Sequence, residues 1–449
     1  MQNSLKVLQL IEEKKFAVAK EVLVTMNKTN IATLLSDVGP DEMLVMFRLL
    51  PKTLAAEVFA FLSSHSQELI VSAFSDSELS SLLGALFIDD VADIVEEMPA
   101  NVASRILKNA NEATRKTVNQ ILQYPEDSAG SLLTTEYVRL KKQQTASEAL
   151  ETIRLRGIKT ETIYTCYVTD EERFLQGIVS LRDLVLTDHE KKLEEIMTTD
   201  FVFVSTHDDR EVVAGVFKKY GFIALPVVDN EKRLVGIITV DDIMEVIEAE
   251  NTEDVHLMAA ILPSEEKYLD TSVFKLAKNR IFWLFILMIT ETFTGGIIEH
   301  FTEILQKCVV LTAFIPVLMD TGGNSGSQVS ALIIRGLATG EIETSDILRI
   351  LWKELRVGIF IATLLGSAMF LKNFFISGKG FPVSLTVSCA LSVAIVTAKL
   401  VGATLPILAQ KLKLDPATMS APMLTTIVDT VSLLVYFSFA KLFIPALSV

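Results

Sequence analysis

Pro316-Val-Leu-Met-Asp320-Thr-Gly-Gly-Asn-Ser-Gly-Ser-Gln328 sits inside a stretch, about 308 to 334, that is otherwise apolar and long enough to cross a bilayer. A crossing helix needs roughly 20 mostly apolar residues, and four further stretches qualify: about 281 to 298, 355 to 376, 382 to 410 and 421 to 447. The quoted motif is too polar and Gly-rich for a helix facing lipid. It is therefore expected as a break in its span, packed in protein or lining a wet cavity. Close helix packing explains its glycines and serines, but not Asp320, Asn324 and Gln328 beside them. The last stretch holds Pro422-Met-Leu-Thr-Thr-Ile-Val-Asp429-Thr, a carboxylate about two turns inside with no basic residue within four positions. Such a group is costly in hydrocarbon unless water or a cation serves it. Asp429 is thus a candidate for a passing cation, and the last third reads as an all-α membrane domain of five helices. Glu291 of the first span could face a pore or pair with Lys399 of the fourth, and neither is assigned.

Outward from this domain the composition changes sign. Residues 1–270 hold 46 of the 56 acids and 27 of the 41 bases, a net charge of −19, whereas residues 271–449 carry +4. An acidic soluble part argues against nucleic acid and anionic lipid as partners, and for cations, basic proteins or solubility alone. The three cysteines show no paired spacing, and residues 1–15 lack the apolar core of a signal peptide, so a cytoplasmic N-terminal part is expected. Lys and Arg cluster before the first span, between the second and third, and between the fourth and fifth, which puts the C-terminus outside. No nucleophile with a base and no phosphate-binding loop appears, so an enzyme is not expected.

From Ser4 to about Gln123 the apolar residues recur at helical spacing. Asp41-Glu-Met-Leu-Val-Met-Phe-Arg-Leu-Leu-Pro51 matches Asp89-Asp-Val-Ala-Asp-Ile-Val-Glu-Glu-Met-Pro99 at an offset of 48, which predicts stacked helical pairs in a superhelix. Between Val138 and Ile247 short strands alternate with helices, and Asp170 to Asp183 aligns with Asp229 to Asp242 at an offset of 59. This α/β repeat resembles a tandem pair of CBS domains. Ser180, Asp183, Thr239 and Asp242 fall at helix starts, where they suit capping. CBS domains use the same positions for adenosine ribose and phosphate, so ATP is a second reading of Ser180, Asp183 and Thr239.

Met319-Asp-Thr-Gly-Gly-Asn-Ser-Gly-Ser-Gln328, Leu414-Asp-Pro-Ala417 and Thr425-Thr-Ile-Val-Asp429, in this order of regions, resemble the MgtE family of magnesium channels. The resemblance implies a helical N domain (1–130), two CBS domains (131–190 and 191–247), an acidic connecting helix (248–275) and a pore domain (276–449). It implies a homodimer in the cell membrane with the pore between subunits, taking up Mg2+. Asp429 and Asp415 correspond to pore cation sites, with Asn324, Gly322, Gly323, Asp320 and Thr425 as lining. Glu57, Asp89, Asp93, Gly130 (through its carbonyl), Asp242, Glu245, Glu250, Glu253 and Asp254 correspond to a sensor for cytoplasmic magnesium that shuts the pore. Gly221 stands where some members have a sensor aspartate, and Asp229 nearby is a candidate to compensate. Oxygen-only lining suits a small hard ion held through water. The rival readings are a broader carrier of Co2+, Ni2+ and Mn2+, and a membrane-anchored CBS nucleotide sensor.

Overall fold

The computed structural model describes residues 2–264, 268–269, 271–419, 422–444 and 447. Glu265, Glu266 and Lys267 of the polar run before the first span, and both ends of the expected fifth stretch (Ala421, Pro445, Ala446), lie outside them. The chain divides into two compact units, Met1–Ile247 and Glu248–Val449.

The first unit opens with α1 (Gln2–Glu12), α2 (Phe16–Val24), α3 (Lys28–Ser36), α4 (Pro40–Leu49), α5 (Lys52–Ala60), α6 (Ser64–Ala73), α7 (Asp76–Leu83), α8 (Ile88–Glu97), α9 (Ala100–Asn109) and α10 (Glu112–Ile121). The repeat at offset 48 maps α4–α5 onto α8–α9. Pro51 and Pro99 stand at the N-caps of the second helices, where a missing amide costs nothing. Val58 and Ile106, equivalent in the two copies, are both fully buried. Local chemistry sets the helix starts: Ser75 and Glu78 form a reciprocal capping box on α7.

Two three-stranded sheets follow. The first is β1 (Tyr137–Leu140), β2 (Thr162–Thr169) and β3 (Leu175–Ser180), in that order, with α11 (Ala146–Arg156) crossing between the parallel pair β1 and β2. After α12 (Leu181–Leu186) and α13 (Leu193–Ile196) the second repeats the pattern with β4 (Val204–Ser205), α14 (Arg210–Tyr220), β5 (Ala224–Val228) and β6 (Leu234–Thr239). The offset of 59 holds at the level of single bonds. Asp170 Oδ1 accepts from the Phe174 amide and Asp229 Oδ1 from the Arg233 amide, both at 2.8 Å. Arg173 and Lys232, in these turns, both have positive φ (74° and 66°).

Helix α15 (Val240–Met258) starts directly after β6. The expected connecting helix 248–275 thus begins earlier and ends earlier: Ala260 takes a positive φ and the described residues through Ser264 are not helical. The second unit then has α16 (Val273–His300), α17 (Thr302–Lys307), α18 (Ile315–Ala338), α19 (Ile347–Leu371), α20 (Phe381–Lys411) and α21 (Pro422–Phe443). Among the described residues four segments are long and apolar enough to cross a membrane: Val273–His300, Thr344–Ile376, Phe381–Lys411 and Met423–Phe443. The remaining expected span, about 308 to 334, corresponds to α18, whose polar motif keeps it out of that set. Helix α20 packs against α18, α19 and α21, and small residues permit the approach. A Cβ at Gly402 would collide with the Gly326 carbonyl oxygen, and one at Gly366 with the Ser392 hydroxyl. Tyr436 of α21, fully buried, donates to the Leu311 carbonyl at 2.9 Å.

Candidate cation sites

The motif 316–328 is not a break. It lies wholly within α18, and its residues divide between opposite faces. Gly322, Gly323, Ser325 and Gly326 are buried, with Gly322 against Val428 and Ser432 and Gly326 against Leu424 and the Ala398 carbonyl. The expectation of open backbone at Gly322 and Gly323 is therefore corrected: both are helical and pack toward α21, Gly323 facing the Thr425 methyl. Asp320, Asn324 and Gln328 are exposed, one turn apart on the other face.

Asp429 of α21 is buried at 7% exposure. Its charged neighbour is an acid, Glu291 of α16, and among the described residues its side chain makes no ion pair or hydrogen bond. Lys399 is not the partner of Glu291. It is buried on α20 with its stem 3.5 Å from where a Gly358 Cβ would be, on the α19 side.

A second acidic group lies where α15 ends. Asp254 is pushed up to about 6 by burial and by the charges of Asp415 and Glu250, while Arg335 acts in the opposite sense. Asp415 is exposed and accepts the Ala417 amide at 2.7 Å. Leu257, Ile334 and Ala417 form a small buried cluster beside it. Glu253 is half-buried one residue before Asp254.

The third group belongs to the first unit. Asp89 is buried, and its carboxyl is raised well above the usual range by burial, then by the charges of Asp242, Asp90 and Glu161. Burial pushes Asp90 up to about 6, Asp242 to about 7 and Glu161 to about 8, with like charges adding to the last two and Glu245 acting on Asp90. Asp93 is exposed, with Asp242 its main charged neighbour. Glu57 is exposed on α5 and is not among the main charges acting on this group. Gly130 is buried beneath the Tyr124 ring, its amide donating to the Thr206 carbonyl at 2.9 Å.

Asp90, Glu136 and Glu161 escaped the sequence reading. Glu161 donates its amide to the Glu136 carbonyl at 2.8 Å where β1 and β2 begin to pair, and Glu161 Oε2 is buried with no hydrogen-bond partner. Glu136 Oε2 in turn accepts the Ile88 amide at 3.0 Å and the Thr134 hydroxyl at 2.9 Å, which caps α8 from a distance in sequence. No residue pattern marks these two glutamates; the adjacent pair Asp89-Asp90 at a helix start was the available signal. Among the described residues no three His, Cys, Asp or Glu converge closely enough to hold a metal directly. The carboxylates are near enough to repel one another yet too spread for a tight cage, a donor set that fits an ion kept in its water shell.

Ser180 caps α12, its Oγ accepting the Asp183 amide at 3.0 Å. At the second position Asp242 Oδ2 accepts both the Thr239 hydroxyl at 2.6 Å and the Thr239 amide at 3.4 Å. Ser180 also lines a mostly apolar cavity of about 750 Å³ between the two sheets, with Arg182, Tyr164, Ile223 and Pro226; Asp183 and Thr239 do not line it. Gly221 lines it too, and its left-handed conformation (φ 67°, ψ 37°) ends α14 as a C-cap. Asp229 is committed to its own turn, its Oδ1 accepting from Glu231 and Arg233.

Membrane-length helices with a buried carboxylate, joined to a CBS pair and a helical repeat, define a class: an integral membrane cation transporter with an attached regulatory module. Residues 315–439 match the family model MgtE, described as divalent cation transporter; residues 26–127 match the MgtE intracellular N domain, and 129–189 and 193–249 match CBS domains. The chain is 36% identical to the magnesium transporter MgtE of Thermus thermophilus over 98% of both chains, and 30% identical to that of Bacillus subtilis over 92% of this chain and 94% of the relative. A crystal structure of the cytosolic domain of the Mg2+ channel MgtE in complex with ATP superposes with a TM-score of 0.52 at 36% identity, covering 54% of this chain and 99% of that one. The chain belongs to the MgtE family.

Proposed function

We propose that the chain takes up Mg2+ as a homodimer in the cell membrane, its first unit in the cytoplasm and its C-terminus outside, and that internal Mg2+ shuts it. The observation that carries this is Asp429, a buried carboxylate in a membrane helix whose charged neighbour is another acid, Glu291. Two carboxylates at bilayer depth with no basic partner among the described residues attract a cation strongly. Asp429 accepts hydrogen bonds from the ion's water shell, so a reluctantly dehydrating ion passes without being stripped. The exposed stripe of Asp320, Asn324 and Gln328 supports a second copy of the chain opposite it, because lipid cannot satisfy those groups.

Regulation rests on the two acidic groups outside the spans. Asp89, Asp93 and Asp242, with Asp90 and Glu161 beside them, would hold hydrated Mg2+ in the first unit; Asp254, Glu250, Glu253 and Asp415 would do so in the second. When bound, the ion supplies positive charge that relieves repulsion among these carboxylates. Glu57, Glu245 and the Gly130 carbonyl complete the proposed sensor. ATP is proposed for the cavity between the sheets, where Arg182 would meet phosphate and Ser180 the ribose.

The test is flux into vesicles reconstituted with the full chain, followed with a magnesium dye, comparing wild type with Asp429→Asn. Loss of flux in the variant is expected; equal flux in both sinks the pore assignment. Competition by Co2+, Ni2+ and Mn2+ in the same assay measures how far the site prefers the hard ion, in keeping with the family's description as divalent cation transporters.

A further inference from the structure

Arg335 is the one basic residue of α18, the helix that carries the Asp320 and Asn324 motif, and it lies in the last turn. Its exposed side chain reaches α15: Nη1 donates to Asn251 Oδ1 at 3.3 Å. It also acts on Asp254, whose other main charged neighbours, Asp415 and Glu250, are acids. The frame around these groups is fixed by packing. Ile334, next to Arg335, is buried with Leu257 of α15 and with Ala417, two residues past Asp415. The guanidinium is therefore held close enough to act on Asp254, the carboxylate on which Asp415 and Glu250 also act.

We propose that Arg335 is the built-in counter-charge of the Asp254–Asp415–Glu250 group and sets the magnesium concentration at which that group binds the ion. The proposal rests on the reading of these carboxylates as a regulatory magnesium site. A cation arriving at Asp254 must overcome the field of Arg335, which partly occupies the same role. The site stays quiet at low magnesium because part of its attraction is already satisfied, and it binds only once the ion is plentiful. A second role is open to the same side chain, a tether between α18 and α15 through Asn251. The two roles predict opposite signs. Removing a competing charge strengthens magnesium binding, whereas loosening a tether that holds the carboxylates together weakens it.

The experiment is a Mg2+ titration of the full-length protein in detergent, read by hydrogen exchange of the amides from Asn251 to Met258, which does not depend on transport. Arg335→Gln is expected to lower the half-effect concentration roughly tenfold, the size of one unit charge removed near a half-buried divalent site. Arg335→Lys should stay close to wild type. Asn251→Ala, which removes the hydrogen bond but keeps the charge, should do the same. A midpoint in Arg335→Gln that is unchanged or higher overturns the proposal, as does an Asn251→Ala midpoint that falls as far as that of Arg335→Gln. The double variant Asp254→Asn, Asp415→Asn tests the underlying reading separately. If its titration matches wild type, the carboxylates are not the site and the proposal falls with that reading.

Discussion

Protons and magnesium should compete for the acidic group of the first unit, and the competition has a calculable size. Asp242 is raised from 3.8 to about 7 and Glu161 from 4.5 to about 8, in both cases mainly by burial. A carboxyl whose folded pKa lies above its unfolded value stabilises the fold when protonated. That stability is fully present below about 4 and is lost as pH rises through the folded values near 7 and 8. For the metal-free protein, lowering pH from about 8 to about 6 should therefore recover roughly 2–3 kcal/mol, after allowance for the partial exposure of Glu161. Magnesium binds the ionised forms, so at about one hundred times its Kd it should return roughly 2.7 kcal/mol at the higher pH and much less at the lower. The assay is hydrogen exchange of the α8 amides in the full chain, corrected for the intrinsic rate at each pH. Protection should rise roughly thirty- to a hundredfold on acidification without metal. Asp242→Asn keeps an acceptor for Thr239 while removing the charge, and should raise metal-free protection at the higher pH. Metal-free protection that is flat or increases with pH, or a magnesium effect equal at both, would refute the reasoning.

Glu136→Ala leaves the Ile88 amide and the Thr134 hydroxyl without their acceptor and should destabilise the first unit by about 1–2 kcal/mol, with Glu136→Gln recovering most of it, as read by thermal unfolding. Gly402→Val presses side-chain atoms onto the Gly326 carbonyl and should cost about 1–3 kcal/mol in thermal stability of the purified protein. Gly295→Ala, where a Cβ meets nothing within 4 Å, is the control expected to be tolerated. Gly221→Asp restores the acid that some family members have, at about 1 kcal/mol for the left-handed backbone; a magnesium titration of the first unit's protection should then shift to lower concentration.

What could be read from the sequence was what repeats or what lacks a counterpart. The offsets of 48 and 59 survive in the structure because each copy keeps its own capping and turn bonds, down to Asp170 and Asp229 accepting at the same position. Asp429 stood out because no base lies near it in sequence, and none of the described residues pairs with it in space. Glu136 and Glu161 could not be found this way. They come together through the parallel pairing of β1 and β2 across a helix, and no periodicity connects residues joined by such a crossover.

The motif 316–328 was misjudged for a different reason. Glycine in a helix costs about 1 kcal/mol relative to alanine, and three glycines among polar residues suggested that the helix could not survive. The offsetting term is tertiary: each missing Cβ lets α18 approach α20 and α21, at Gly322 against Val428 and at Gly326 against the Ala398 carbonyl. A signal for this was present. Gly322, Gly326 and Ser330 recur every four residues, and so do Asp320, Asn324 and Gln328, with the two series offset by two. Two residues correspond to about 200° around an α-helix, so one series packs inward and the other faces away only if the helix is unbroken. A kink between them would scatter both series, leaving neither a packing seam nor a continuous polar stripe.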